Sequence, residues 1–246
     1  MSEEGHNYFF SMYGDEYSDG WDRIFKPAVD YLENSNELIP PELLDDLGDL
    51  GAVKTVSYYK RVLKKAMRDL YYMRIGHDEF LDIHSAYVQR QFRRAWNTAM
   101  RENCLDPRKD MTAEWEAIYQ DLVVAEYEYI DRIAQEIVYA ANNKEPLAPF
   151  IQRADLWANR WTDVYNRALA ETGQEEWYRW VLGQTEKHCE TCADRAGKIK
   201  TGAEWLADVM PQSQALECGG WRCDCRLERV GPCGGGSLYA LMFANG

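Results

Sequence analysis

Cysteine placement is the feature that most constrains how this chain folds. Six of its seven cysteines lie between positions 189 and 233 of a 246-residue sequence. Cys189 and Cys192 form a C-x-x-C pair, and Cys223 and Cys225 form a C-x-C pair about thirty residues later. Zinc accepts four thiolates in a tetrahedron, and two short cysteine pairs separated by such an insert are typical of structural zinc sites. The spacing therefore predicts that these four cysteines bind a structural zinc ion, with Cys218 as a reserve ligand.

Two roles besides metal binding stay open for the cysteine cluster at the level of sequence. The thiols could form disulfides, or they could be buried independently with no joint role. The N-terminus is acidic where a signal peptide would be basic, so we expect a cytoplasmic protein, in which disulfides are rare. A thioredoxin-type dithiol requires a βαβ pattern around the C-x-x-C pair, and that pattern is missing. His188 is a weaker candidate ligand than any of the cysteines.

Hydrophobic periodicity predicts a mainly α-helical fold. Apolar residues recur every three or four positions from Ala52 onward, from Asp78 to Arg101 and from Thr112 to Ala141. Breaks at 75–76 and 103–107 separate the three segments. Three long amphipathic helices with short turns pack most simply as an antiparallel bundle, which we expect over residues 51–145. The predicted apolar stripe of the third helix consists of Trp115, Ile118, Leu122, Ala125, Tyr129, Ile133 and Ile137.

The character of the chain changes after the bundle. A fourth helix is predicted from about Leu156 to Thr172, and the aromatic, β-branched run from Glu176 to Leu182 predicts a strand that leads into the cysteines. We expect a small α+β lobe over 146–230, stabilised by the metal, followed by a glycine-rich tail over 231–246. The predicted fold class is therefore mainly α, with a helical bundle and a metal-stabilised C-terminal lobe.

Charge is distributed unevenly, and the distribution limits the choice of partners. Residues 1–50 contain 13 acidic and 2 basic side chains, interleaved with aromatic residues, and predict an N-terminal arm that docks on another protein. Residues 51–110 are net basic, but the whole chain has a net charge of −13. We expect only weak contact with DNA, because phosphate binding needs clustered cations. No apolar run approaches the roughly 20 residues that span a bilayer, so no membrane partner is expected.

The sequence contains no recognisable catalytic set. His188 and Glu190 match the H-x-E half of the zinc-deaminase signature, but the C-x-x-C half should follow well downstream and here overlaps it. His84 falls on the apolar stripe of the second helix, where we expect a packed core residue. Neither a phosphate-binding glycine loop nor a G-x-S-x-G motif is present. We therefore predict that the protein is not an enzyme.

The C-terminal third contains an ordered series of motifs: Arg153-Ala-Asp-Leu, Tyr165-Asn-Arg-Ala-Leu-Ala, Trp177–Trp180, Cys189-Glu-Thr-Cys192, Ala196-Gly-Lys-Ile199 and Cys223-Asp-Cys225-Arg-Leu. Their order and spacing resemble the Mu-F-like head-morphogenesis family, the minor head proteins of tailed phages. The resemblance covers roughly residues 145–230. Two positions depart from the family pattern. Ala193-Asp194-Arg195-Ala196-Gly197 replaces the usual leucine-aspartate before the glycine, and Gly220-Trp221-Arg222 precedes Cys223 where relatives have the histidine of H-P-x-C. Cys218 is the candidate to replace that histidine.

The resemblance implies a structural virion protein, present in few copies at the portal vertex inside the capsid and made in the host cytoplasm. Its implied partners are the portal protein and other capsid proteins, and its implied role is head assembly or DNA delivery. Two alternatives belong to different functional classes. One is a phage-carried effector or toxin-type enzyme attached to a Mu-F-like domain. The second is a small zinc-containing nucleic-acid-binding protein, which the acidic composition disfavours.

Overall fold

A computed structural model describes four stretches of the chain: 52–157, 160–184, 187–220 and 223–232. All of them belong to one compact unit. The predicted N-terminal arm and nearly all of the predicted glycine-rich tail lie outside the described residues. The domain boundaries proposed at 145 and 230 stay predictions.

The fold is mainly helical with one small antiparallel sheet, which confirms the coarse fold prediction. The helices in the described residues are α1 (Ala52–Tyr71), α2 (His77–Glu102), α3 (Ala113–Asn142), α4 (Ala148–Trp157), α5 (Arg160–Thr172), α6 (Glu190–Arg195) and α7 (Gly202–Ala207). The strands are β1 (Trp177–Val181), β2 (Ile199–Thr201) and β3 (Arg226–Arg229). No helix in these stretches is both long enough and apolar enough to cross a membrane.

Helices α1, α2 and α3 pack against one another, and α2 and α3 run antiparallel. His77 at the start of α2 contacts Asp131 in the second half of α3, at 3.0 Å between Nε2 and Oδ1. Further along α2, Arg93 contacts Glu116 near the start of α3, at 2.6 Å. Burial of each large apolar side chain between the helices contributes about 1.5–3 kcal/mol. These side chains include Leu63, Met67 and Leu70 of α1, Phe80, Val88 and Phe92 of α2, and Ile130, Ile133 and Ile137 of α3.

The buried face of α3 differs from the predicted stripe in its N-terminal half. Ile133 and Ile137 are buried as predicted, but Ala125 is exposed. Glu126 is only 3% exposed and pairs with Arg160 at the start of α5, at 3.1 Å. Because Glu126 is acidic, hydrophobic periodicity alone does not show that its position on α3 faces the core. The remaining residues of the buried face in this half are Tyr119 and Val123.

The predicted fourth helix is two helices in the structure. The second of them, α5, ends at Thr172 as predicted, but α4 begins eight residues before the predicted start at Leu156. Pro146 and Pro149 lie around the start of α4, and proline is common in loops. Proline is nevertheless tolerated in the first turn of a helix, where the backbone N–H groups have no intrahelical partner. Pro149 occupies that first turn in α4.

The strand predicted between Glu176 and Leu182 is confirmed as β1, the central strand of the order β2-β1-β3. Both neighbours pair with it antiparallel, with Tyr178 opposite Lys200 on one side and Arg229 on the other. The indole Nε1 of Trp205 in α7 donates to the carbonyl oxygen of Tyr178 at 3.0 Å. This contact holds the short helix α7 on the sheet.

One buried asparagine, Asn103, joins the helices to the sheet. It follows the last residue of α2, and its Nδ2 donates to the carbonyl oxygen of Leu169 at 2.9 Å and to Oγ1 of Thr172 at 2.8 Å. Its Oδ1 accepts a hydrogen bond from the hydroxyl of Tyr178 in β1 at 2.7 Å. Helix α5 also packs along α2, so the C-terminal sheet and the long helices form a continuous structure.

Candidate metal centre

The C-x-x-C pair is positioned by the start of α6. Cys189 has an extended backbone, with φ −68° and ψ 157°, and is the residue that immediately precedes the helix. Its carbonyl oxygen accepts hydrogen bonds from the backbone N–H groups of Cys192 at 3.1 Å and Ala193 at 3.0 Å. This turn brings the two thiols to the same side of the chain. Cys192 is buried, and Cys189 is partly exposed.

The C-x-C pair lies directly before β3, and its side chains already alternate as in a strand. Cys223 and Cys225 are buried, whereas Asp224 between them is exposed, and the alternation continues through Arg226 and Leu227. The sequence prediction placed both sulfurs on one face because strand side chains repeat every two residues. The burial pattern agrees with that prediction, although β3 itself begins one residue after the pair.

Five thiols converge where these segments meet, and all five are free. They form two overlapping triplets, one of Cys192, Cys223 and Cys225 and the other of Cys189, Cys192 and Cys218. Within each triplet the sulfur atoms all lie within 4.8 Å of one another. We name the first the inner triplet, because its three residues are buried, and the second the outer triplet. The cluster is close enough to bind a metal ion.

One sulfur–sulfur distance is compatible with a bound zinc ion. A zinc–sulfur bond of about 2.3 Å in a tetrahedron places neighbouring sulfurs about 3.8 Å apart. The Sγ atoms of Cys192 and Cys223 are 3.7 Å apart. The donor set, composed of thiols alone, also suits zinc and related thiophilic ions.

The structure divides the four predicted ligands between the triplets. Cys192, Cys223 and Cys225 lie together, whereas Cys189 groups with Cys218, the predicted reserve ligand. His188 belongs to neither triplet. Which of the five thiolates bind an ion stays a prediction.

Mutual hydrogen bonding shifts the thiol pKa values in opposite directions. The thiol of Cys223 stabilises the thiolate of Cys225, which lowers the pKa of Cys225 despite its burial. The same contact, together with burial, raises the pKa of Cys223. Burial is the larger cause that raises the pKa of Cys192, and the hydrogen bond with Cys189 raises it further. Crowded thiols of this kind share protons, and a cation that replaces those protons relieves the competition.

Two buried amides that the sequence analysis missed hold the C-x-C segment. Asn166 of α5 accepts a hydrogen bond from the backbone N–H of Leu227 at 2.9 Å, and its Nδ2 lies 3.5 Å from the carbonyl oxygen of Cys225. Gln212 donates from Nε2 to the carbonyl oxygen of Cys223 at 2.9 Å. Both are buried polar residues. A useful signal was available for Asn166, because a polar residue on the apolar face of a short helix needs a buried partner.

A glycine permits the close approach of these segments. Gly220 has φ +77°, and a Cβ there would clash with the carbonyl oxygen of Gln212. Only glycine adopts this left-handed conformation at no steric cost. The chain can therefore turn tightly between Cys218 and Cys223 and bring both to the cluster.

Comparison of the chain with models of protein families, with curated proteins and with solved structures finds no match. The geometry of the cysteine cluster and the order of the motifs around it therefore carry the functional argument.

Proposed function

We propose that this chain is a structural minor head protein of a tailed phage, associated with the portal vertex and acting in head assembly or DNA delivery. The observation that carries the proposal is the convergence of the Cys189–Cys192 and Cys223–Cys225 pairs, because these pairs are two of the motifs on which the Mu-F-like resemblance depends. The residues around them support a structural role. Asn166 and Gln212 are buried and bind the backbone of the cysteine segment.

We further propose that the cluster holds zinc as a structural ion, with its ligands drawn from Cys189, Cys192, Cys223 and Cys225 and from Cys218. Structural zinc sites are closed by protein thiolates, and their binding energy is folding energy. The β1–β3 sheet and the short helix α7 bury Tyr178, Trp180, Trp205 and Leu227, and a bound ion would add to this small apolar core. A bound ion would tie the C-x-x-C turn to the strand β3 and thereby fix the small lobe on the long helices.

The test of the head-protein proposal uses phage particles produced with and without an intact cluster. Particles carrying the wild-type gene are expected to contain a few copies of the chain, measured by quantitative mass spectrometry. Particles made with the C192S/C223S double variant are expected to lack it or to lose infectivity. The matched control is N143A, which alters an exposed residue far from the cluster in sequence and should leave both measurements unchanged. Wild-type particles that contain none of the protein would rule out the proposal.

A further inference from the structure

The arrangement of the two triplets sets a limit on what one ion can bind. Two sulfurs that share a zinc ion lie at most about 4.6 Å apart, because each bond is about 2.3 Å long. Among the described residues, no fourth His, Cys, Asp or Glu lies within 4.8 Å of all three members of either triplet. A single ion in this arrangement therefore reaches three thiolates, and two thiols of the cluster stay outside its coordination sphere.

We infer that the cluster binds two thiophilic divalent ions of the zinc class, with Cys192 as the ligand that they share. The inner ion is bound by Cys192, Cys223 and Cys225, and the outer ion by Cys189, Cys192 and Cys218. This inference rests on the proposal that the cluster is a metal centre and extends it to a second site. It also gives Cys218 a role of its own, as a ligand of the outer ion and not as a substitute for another cysteine.

Burial and charge are consistent with a shared thiolate. Cys192 belongs to both triplets and is 2% exposed, so its sulfur lies between the two ion positions and away from bulk water. Two divalent ions bound by five thiolates leave a residual charge of about −1, the same as one ion bound by three thiolates, so the second ion adds no net charge to the partly buried site. The outer ion also keeps access to a solvent ligand, because Cys189 and Cys218 are partly exposed.

Metal stoichiometry of the full-length chain tests the inference. The protein is purified under reducing conditions, supplied with zinc and weighed by native mass spectrometry. We expect two zinc ions for the wild type and one for C218S, which removes a ligand of the outer ion only. C189S is the second variant for the same ion, and circular dichroism verifies that both variants are folded.

The outcomes distinguish failure of the two-ion arrangement from failure of the proposed metal centre. One zinc ion in the wild type and one in C218S would overturn the two-ion arrangement and leave a single structural site. No zinc in the wild type would overturn the metal centre altogether. Replacement of zinc by cadmium-113 provides a second measurement, because two resonances coupled through a shared sulfur are expected in the wild type. A single resonance would contradict the shared thiolate.

Discussion

Asn166 in α5 and Leu227 in β3 are joined by a buried hydrogen bond of 2.9 Å from the backbone N–H of Leu227 to Oδ1 of Asn166. Asn166 is completely buried, and its side chain also lies beside the carbonyl oxygen of Cys225. The two bonded residues are 61 positions apart along the chain. This contact fixes the end of the cysteine segment against the helices independently of any bound ion.

Replacement of Asn166 by alanine is expected to lower the free energy of unfolding by about 2 kcal/mol, because it leaves the buried N–H of Leu227 without a partner. Urea denaturation of the reduced, zinc-loaded protein measures the change. Asn143 is a matched control, since its side chain donates to the carbonyl oxygen of Tyr139 at 2.8 Å but lies exposed at the end of α3. N143A should cost about 0.5 kcal/mol or less. Equal effects of the two substitutions would contradict the structural role of Asn166.

Two glycines in left-handed conformations offer a second matched comparison. Gly220 and Gly197 have φ values of +77° and +75°, but only Gly220 would clash on gaining a Cβ, whereas nothing lies within 4 Å at Gly197. G197A should therefore lower the free energy of unfolding only by the cost of placing alanine in a left-handed conformation, about 1–2 kcal/mol. G220A should cost at least about 1 kcal/mol more, because the carbonyl of Gln212 must move. Thermal unfolding measures the difference, and similar melting temperatures for the two variants would refute the close approach.

His84 predicts a specific dependence of stability on pH. Its ring is fully buried beside Phe80, and burial lowers its pKa from 6.5 to about 3. Below pH 6.5 the unfolded chain therefore binds a proton that the folded chain does not, and stability falls as the pH decreases toward 3. The loss approaches about 1.4 kcal/mol per pH unit.

The H84Q variant removes this titration at similar side-chain size. The free energy of unfolding is measured for both proteins between about pH 6.5 and about pH 4.5, a range in which the unfolded chain binds the proton and the folded chain does not. Loss of metal at acid pH affects the wild type and the variant alike. The comparison therefore uses only the difference between their slopes of unfolding free energy against pH. The wild type should lose stability more steeply than the variant. Parallel curves would show that His84 does not titrate between the two states.

Duplex DNA is expected to bind weakly. Part of the positive charge on α1 and α2 is already paired within the protein, since Lys65 contacts Asp69 at 2.7 Å and Arg93 contacts Glu116 at 2.6 Å. We expect a dissociation constant above about 1 μM at physiological salt, rising steeply with added salt. Fluorescence anisotropy over a salt series measures it. Sequence-specific binding with a dissociation constant below about 1 μM at physiological salt would favour the nucleic-acid-binding alternative.

The sequence predicted the elements with strong local signals and missed those that depend on distant partners. The bounds of α2 and α3 follow from apolar periodicity, and the aromatic run around Trp180 identified β1. The start of α4 was missed because Pro149 is a loop signal outside the first helical turn. The inward position of Glu126 was missed because its partner, Arg160, is 34 residues away.

For the candidate metal centre, too, the sequence predicted the local patterns and missed what depends on distant residues. Spacing alone indicated that Cys189, Cys192, Cys223 and Cys225 act together, because C-x-x-C and C-x-C pairs are local patterns. The grouping of Cys218 with Cys189 and Cys192 could not be predicted, since it depends on the turn at Gly220 and on the path of the insert between the pairs. The division into an inner and an outer triplet is likewise a product of the tertiary structure.

If metal bound at the cysteine cluster holds residues 189–229 in place, its removal should loosen that segment, and hydrogen–deuterium exchange of the full chain measures this effect. Exchange is measured with zinc bound and after its removal by a chelator under reducing conditions, with α3 as an internal reference. Amides of α6, α7 and β3 are expected to exchange more than about tenfold faster without metal, while those of α3 are unchanged. Protection of 189–229 that is identical with and without the chelator would show that the metal does not stabilise this segment.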